Sequence, residues 1–472
     1  MIHPAPQDIA GTTDDPCEMS IDALRSAYAE RSLSPVDVAK AHLERISGAG
    51  DQLNAFVTVT PEQALTDAKR AETMWRHSPD SAPALLGIPY AIKDLVPTKG
   101  IRTTRGSLAS SEWIPTEDSL LAHRLRNSGG SLLGKTTTSE VGWKADSGNP
   151  INGPARNPYD LTKTAGGSSG GAAAAVAGRI ATVAQGGDGA GSVRIPAAFC
   201  GVVGIKPGTG VIPYYPPSPL APIVANGTFG RTVRDAATLL DVLAGPDYRD
   251  ATSAHHRNAS YRRACDEAPV SLRIAYAPEW GGRRAEPEIE QHMIKAIDAL
   301  RSAGHHVTVL EQTPHDRFDL LHTIWTTGFS SLYPDIPNGI DPELRQVVEE
   351  ASAFSGADLA SAHLQRRLYQ AEVAGCFEDY DILLTPTTPV PAFEAGRVGP
   401  ETVNGQPANY LDWAWLTYAF NLSEHPAVSI PHGFTDAGLP VGVQVVGHHG
   451  RNHALVHAAS QIESALVATQ GS

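Results

Sequence analysis

Three features of the 472-residue sequence predict an α/β fold. Apolar runs of strand length recur along the chain, as in Leu86–Ile92, Leu272–Tyr276, Ile382–Leu384 and Val441–Val446, bounded by glycine, proline or charged residues. Between them lie segments that open with helix start signals, a hydroxyl or a proline at the first helical position. No internal repeat interrupts the alternation, and strands alternating with helices define the α/β class.

Taken in order, residues 1–18 read as a flexible leader and Ser20 as the cap of a helix over Ile21–Glu30. Ser34-Pro35-Val36-Asp37 combines a hydroxyl cap, a proline at the first helical position and a first-turn carboxylate. A strand over Asn54–Val59 and a helix over Pro61–Arg76 follow. The run from Leu86 ends in Lys93, a charge that is costly at the end of a buried strand unless it is paired or neutral. Residues 140–160 are dense in turn formers and hold Trp143, expected on one wall of a site. A proline-rich loop over Pro213–Pro222, with Tyr214 and Tyr215, is expected near its mouth. An amphipathic helix starts at Thr232, and the polar stretch 246–270 reads as an exposed linker. A second α/β stretch then places a strand after Leu272, a helix over Pro287–Ala303 and a strand over His306–Leu310. Region 312–370 shows no clear pattern. A buried strand from Asp381, closing strands over Asn421–Pro431 and Gly438–Gly447, and a helix over Asn452–Leu466 complete the chain.

Composition narrows the function. The formal charge is -14, from 37 basic and 51 acidic residues, which argues against a phosphate-backbone binder and for a small, uncharged substrate. No nucleic-acid partner is expected. No apolar run approaches the ~20 residues of a membrane span, and the N-terminus lacks the basic and apolar regions of a secretory signal. Cys17, Cys200, Cys265 and Cys376 are scattered without metal or disulfide spacing, as in a reducing compartment, so a cytoplasmic protein is expected.

The chemistry concentrates between Thr164 and Pro196. Gly166-Gly-Ser168-Ser-Gly-Gly171 opens into Ala172–Ala177, a glycine turn entering an alanine-rich helix with serines near its positive end. Gly186-Gly-Asp188-Gly-Ala-Gly-Ser192 presents bare backbone leading up to one hydroxyl, as an oxyanion hole requires. GGSSGG followed by D-x-x-G-S-x-R-x-P, with the upstream strand Gly87-Ile-Pro-Tyr-Ala-Ile-Lys93, resembles the amidase signature family of serine hydrolases. The resemblance extends to the C-terminus. It implies a large central mixed β-sheet flanked by helices on both faces. It also implies a single domain over 19–472, with its core in about 80–245 and 380–466 and a variable, substrate-determining region in about 246–379.

The family uses a Ser-cisSer-Lys triad. Carried onto this chain, the resemblance implies Ser192 as nucleophile, Ser168 as relay across a cis Gly167–Ser168 bond, and Lys93 as the final base. A lysine serves as base only when neutral, and burial favours that form. Backbone N–H groups of Gly189, Ala190, Gly191 and Ser192 are candidate oxyanion donors; Trp143, Gly167 and Tyr214 are candidate substrate contacts. Ala190 stands where the family commonly has glycine and Ala165 where proline is frequent, and neither change removes a catalytic group. Asp188 and Arg194 read as a structural ion pair bracing the nucleophile loop. No cofactor or metal is implied. The expected activity is hydrolysis of small apolar or aromatic amides, and by extension esters or carbamates, by a monomer or homodimer. The alternatives are the glutaminase component of a tRNA-dependent amidotransferase, which co-purification with a partner would reveal, and an inactive binding relative, against which all three triad residues speak.

Three other patterns carry no function. Gly129–Thr136 matches a phosphate-loop pattern literally, but the match contains a strand instead of lying between a strand and a helix. His449, His453 and His457 recur at helical spacing without a supporting carboxylate in the motif. The glycines at 187, 189 and 191 echo a dinucleotide loop that lacks its later acidic residue.

Overall fold

Alternate residues of the central strands belong to opposite cores. Tyr90 and Ile92 pack on one face and Ala91 on the other; Leu132 and Leu133 divide the same way, as do Val183 and Ala184. The computed structural model describes residues 15–256 and 259–468. Eleven strands form one sheet. In chain order they are β1 (Phe56–Val59), β2 (Pro89–Lys93), β3 (Ser131–Thr136), β4 (Val183–Asp188), β5 (Val203–Lys206), β6 (Ala225–Gly230), β7 (Arg273–Tyr276), β8 (His306–Val309), β9 (Ile382–Pro386), β10 (Ala427–Phe434) and β11 (Pro440–Gly447). Across the sheet they run β1-β3-β2-β4-β6-β5-β10-β11-β9-β7-β8. The β3-β2-β4 and β9-β7-β8 neighbours are parallel and the remaining pairs antiparallel, so the sheet is mixed.

Helices cover both faces, as expected of strands without a polar side. The helices Val233–Leu243, Pro287–Ser302 and Asn452–Ala468 pack into the core that holds Tyr90 and Ile92. Gly170–Ala177 and Arg194–Cys200 lie against the other face. The local start signals act as read: Ser20 Oγ accepts from the Ala23 N–H at 3.2 Å, Ser34 Oγ from Val36 at 3.0 Å and Thr232 Oγ1 from Asp235 at 3.1 Å.

Several expectations need correction. Residues 1–14 of the expected leader lie outside the described residues, but Pro16–Glu18 form a helical turn with Cys17 buried. The 246–270 stretch is more than a linker: Ser253 is fully buried, and Tyr261–Ala264 is a short helix packed beside Val233–Leu243. The expected strand from Asn421 begins only at Ala427, because Trp415–Leu422 is a helix. Its residues are all buried, so it lacks the polar stripe that distinguishes a helix from a strand. Region 312–370 resolves into the helices Phe318–Ser330 and Pro342–Glu350 and most of Gly356–Gly375. Among the described residues, no helix is long and apolar enough to cross a membrane.

Because both faces of β3 are covered, Leu132→Ala and Leu133→Ala should each destabilise the fold by about 2–5 kcal/mol. Urea unfolding checks this, and a silent substitution at either position would mean that one face of the sheet is wet.

Candidate active site

Lys93 ends β2 and enters the interior between two serine-bearing loops. Its Nζ lies 2.7 Å from Ser168 Oγ, 2.8 Å from Ser169 Oγ and 3.4 Å from the Gly187 carbonyl. The Gly167–Ser168 peptide bond is cis. Glycine is required at 167 because a Cβ there would stand 2.5 Å from the Asp146 carbonyl carbon. The Ser169 N–H donates to the Ser192 carbonyl at 3.3 Å and ties the two loops together. Burial pushes the Lys93 amine down to about 7, against the opposing pull of the Asp188 charge. Among the described residues no carboxylate lies within ion-pair distance of it.

Asp188 is otherwise engaged. It ends β4 and meets Arg194 in a fully buried bidentate pair, with Oδ1–Nη2 at 2.9 Å and Oδ2–Nε at 3.0 Å. Burial would raise the Asp188 carboxyl, but the Arg194 guanidinium overcomes it and holds the group well below the usual carboxylate range. Arg194 in turn donates to the Thr417 carbonyl, Gln444 Oε1 and Asn421 Oδ1, at 2.9, 2.7 and 2.6 Å. Asn421 Nδ2 donates back to Asp188 Oδ1 at 2.9 Å. The bracing pair read from the sequence is therefore present, as the centre of a larger network.

That network narrows the set of candidate oxyanion donors. The Gly191 N–H donates to Asp188 Oδ1 at 2.8 Å and is taken. The N–H groups of Gly189, Ala190 and Ser192 have no protein acceptor among the described residues. Gly191 has φ +121°, and a Cβ there would collide with Thr417 Oγ1, so both conformation and space demand glycine.

A cleft of about 180 Å³ opens onto Lys93 and Gly187. Its walls are largely apolar, from Leu95, Val96, Val141, Tyr214, Phe329 and Leu332, with Gln185 and Asn226 beside the lysine. Tyr214, a candidate substrate contact, lines this cleft. Trp143 does not: it is buried, lies 5.8 Å from the Tyr410 ring and lines a different cavity with Phe318 and His322. Trp325, Trp413 and Trp415 are also buried, in helical segments, with the Trp325 ring close beside Gly189. Lys135 of the phosphate-loop match is a buried strand residue bonded to the Val96 carbonyl, Thr98 and Thr103. His449 precedes the last helix, while His453 and His457 face Glu267 at 3.3 and 3.4 Å. No group of three metal-binding side chains occurs among the described residues.

A family model described as Amidase matches residues 37–456. The chain belongs to the amidase signature family. It is similar to an acylamidase of Rhodococcus erythropolis, 35% identical over 460 residues that cover 94% of this chain and 95% of that protein. It is also similar to a glutamyl-tRNA(Gln) amidotransferase component from Koribacter versatilis (strain Ellin345), 31% identical with 95% and 99% covered. Among solved structures, a bacterial aryl acylamidase of the amidase signature family superposes with TM-score 0.88 at 27% identity, covering 96% of this chain and 97% of that one. A 6-aminohexanoate cyclic dimer hydrolase complexed with substrate gives 0.87 at 29% identity, with 97% and 98% covered. As an amidase signature member, this chain is a hydrolase of carbon–nitrogen bonds in linear amides.

Sequence reasoning missed several residues of this amidase site. Ser169, the neighbour of the expected relay, bonds Lys93 as closely as Ser168 does, and the doubled serine was the available signal. Thr417, Asn421 and Gln444 reach the site from more than two hundred residues downstream, and no local pattern announces them.

Arg194→Met should cost about 3–5 kcal/mol, because it leaves Asp188 buried without its countercharge. Removing both charges in Asp188→Asn with Arg194→Met should recover part of that loss in urea unfolding; equal losses for the single and double variants would contradict the pairing.

Proposed function

We propose that this amidase hydrolyses small apolar or aromatic amides, and by the same chemistry esters or carbamates, through an acyl-Ser192 intermediate. The observation that carries the reading is the Lys93 amine, buried, without a carboxylate partner among the described residues and 2.7 Å from Ser168 Oγ at the floor of an apolar cleft. A neutral amine so placed accepts a proton through Ser168 as Ser192 Oγ bonds to the substrate carbonyl carbon. The Gly189, Ala190 and Ser192 N–H groups meet the developing oxyanion, each contributing roughly 3 kcal/mol. Return of the proton through Ser168 lets the C–N bond break and the amine leave. Water, deprotonated along the same path, then frees the acid and restores Ser192.

The amidotransferase relatives suggest glutaminase activity within a complex. Free glutamine carries an ammonium group, and among the described residues no aspartate or glutamate lines the cleft to receive it. The acylamidase reading fits the walls better.

Ser192→Ala should lower release of 4-nitroaniline or 4-nitrophenol from acyl anilide, ester and carbamate substrates by about 10³-fold or more. Equal turnover by wild type and variant would remove Ser192 from its role. The pH profile gives a second check. Only the neutral amine is a base, so kcat/KM should fall about tenfold per unit below pH ~7 and level off above it, following the Lys93 value near 7. A fall centred near pH 4 would point to a carboxylate base instead.

A further inference from the structure

We infer that the cleft recognises a carboxylate on the substrate through Arg105. This inference rests on the amide-hydrolase reading and replaces the expectation of an uncharged substrate. Arg105 lines the same cleft as Lys93, across from Val141. Its guanidinium makes no ion pair and no hydrogen bond among the described residues; its one close partner there is the Trp113 ring, 4.5 Å from the guanidinium carbon. Several other buried charges are paired, as Arg194 is with Asp188 and Lys144 with Asp341.

The carboxylates near Arg105 bond to other groups and make no ion pair with it, although Asp94 Oδ1 has no hydrogen-bond partner among the described residues. Asp94 accepts from the Thr104 N–H at 2.9 Å and from its hydroxyl at 2.5 Å, and lies 3.8 Å from Lys135. Glu140 accepts from Ser107 Oγ at 2.5 Å and from the Asp341 N–H at 2.7 Å. With no aspartate or glutamate among the described residues of its walls, the cleft is cationic within a protein of net charge -14.

The position of Arg105 is built. Its backbone is left-handed at φ 54°, and Val141 opposite is left-handed at φ 46°, a rare state for a β-branched residue. The Val141 N–H donates to the Arg105 carbonyl at 2.8 Å, and the Arg105 N–H to the Asp94 carbonyl at 3.2 Å. Backbone strain at two cleft-lining residues, held by a hydrogen bond between them, is the kind that persists where a site needs it. A half-buried guanidinium has lost water without gaining an ion-pair contact, the Asp94 charge acting on it only from a distance, and its planar donor fork matches a carboxylate. The substrate class is accordingly an amide that bears a carboxylate, such as an N-acyl amino acid or the half-amide of a dicarboxylic acid.

The test is calorimetric binding to Ser192→Ala of two probes, glutaric acid mono-4-nitroanilide and the uncharged hexanoyl 4-nitroanilide. The anionic probe should bind about tenfold or more tightly, the ratio should collapse to about one when Arg105→Met is added, and Arg105→Lys should restore part of it. A ratio near one in Ser192→Ala, a ratio that survives Arg105→Met, or no binding of either probe would each overturn the inference. Partial restoration by lysine also separates lost charge from a damaged fold. Turnover distinguishes this from failure of the parent reading: probe hydrolysis that persists in Ser192→Ala removes the nucleophile, whereas the binding ratio judges Arg105 alone.

Discussion

The proposed chemistry depends on keeping one buried amine uncharged. An ammonium group taken out of water without a countercharge loses several kcal/mol of solvation, which pushes the Lys93 amine down to about 7 and favours its neutral form. A carboxylate in contact with Lys93 would reverse this. The strongest threat is Asp188, on the strand beside it, and the fold weakens that threat by committing both carboxylate oxygens to Arg194. The buried ion pair thus has an electrostatic use beyond bracing a loop: it leaves the nearest anion already matched. Serine hydroxyls and a backbone carbonyl, which are polar but carry no net charge, then hold the amine.

The sheet makes that arrangement geometrically available. β2 and β4 are parallel neighbours, so Lys93 and Asp188 emerge at the same edge. The helix Gly170–Ala177 brings the double serine back across that edge. Close approach there excludes side chains, which is why glycine occupies 167 and 191.

The sequence revealed these parts unevenly, and the differences have physical causes. Caps, strand runs and the two serine clusters are local signals, set by hydrogen bonds and backbone angles within a few residues, and the structure contains them where the sequence places them. The misread stretch at Asn421 belongs to a helix buried all round, which has no periodicity to detect. The chemistry of tryptophan suggests an open wall of the site for Trp143, yet its side chain is buried and lines a different cavity. The Gly191 N–H looks free in sequence, which shows a bare backbone but not the carboxylate that captures it. Arg105 escapes notice because its meaning lies in the absence of a partner, which only three dimensions reveal.

Burial and a depressed titration do not by themselves single out Lys93. Lys135 and Lys206 are equally buried, and burial pushes them down to about 8 and about 7. Their surroundings differ. Lys135 lies 3.8 Å from Asp94 and bonds a carbonyl and two threonines, knitting β3 to the loop after β2. Lys206 ends β5 and reaches the Pro207 carbonyl, at 3.4 Å. Of the three, Lys93 alone lines the cleft, and its two serine neighbours carry protons that can move. A base must be neutral, must touch a group that can pass it a proton and must open toward substrate. Burial moves all three lysines toward the neutral form, but of the three only Lys93 also lines the cleft where substrate would enter.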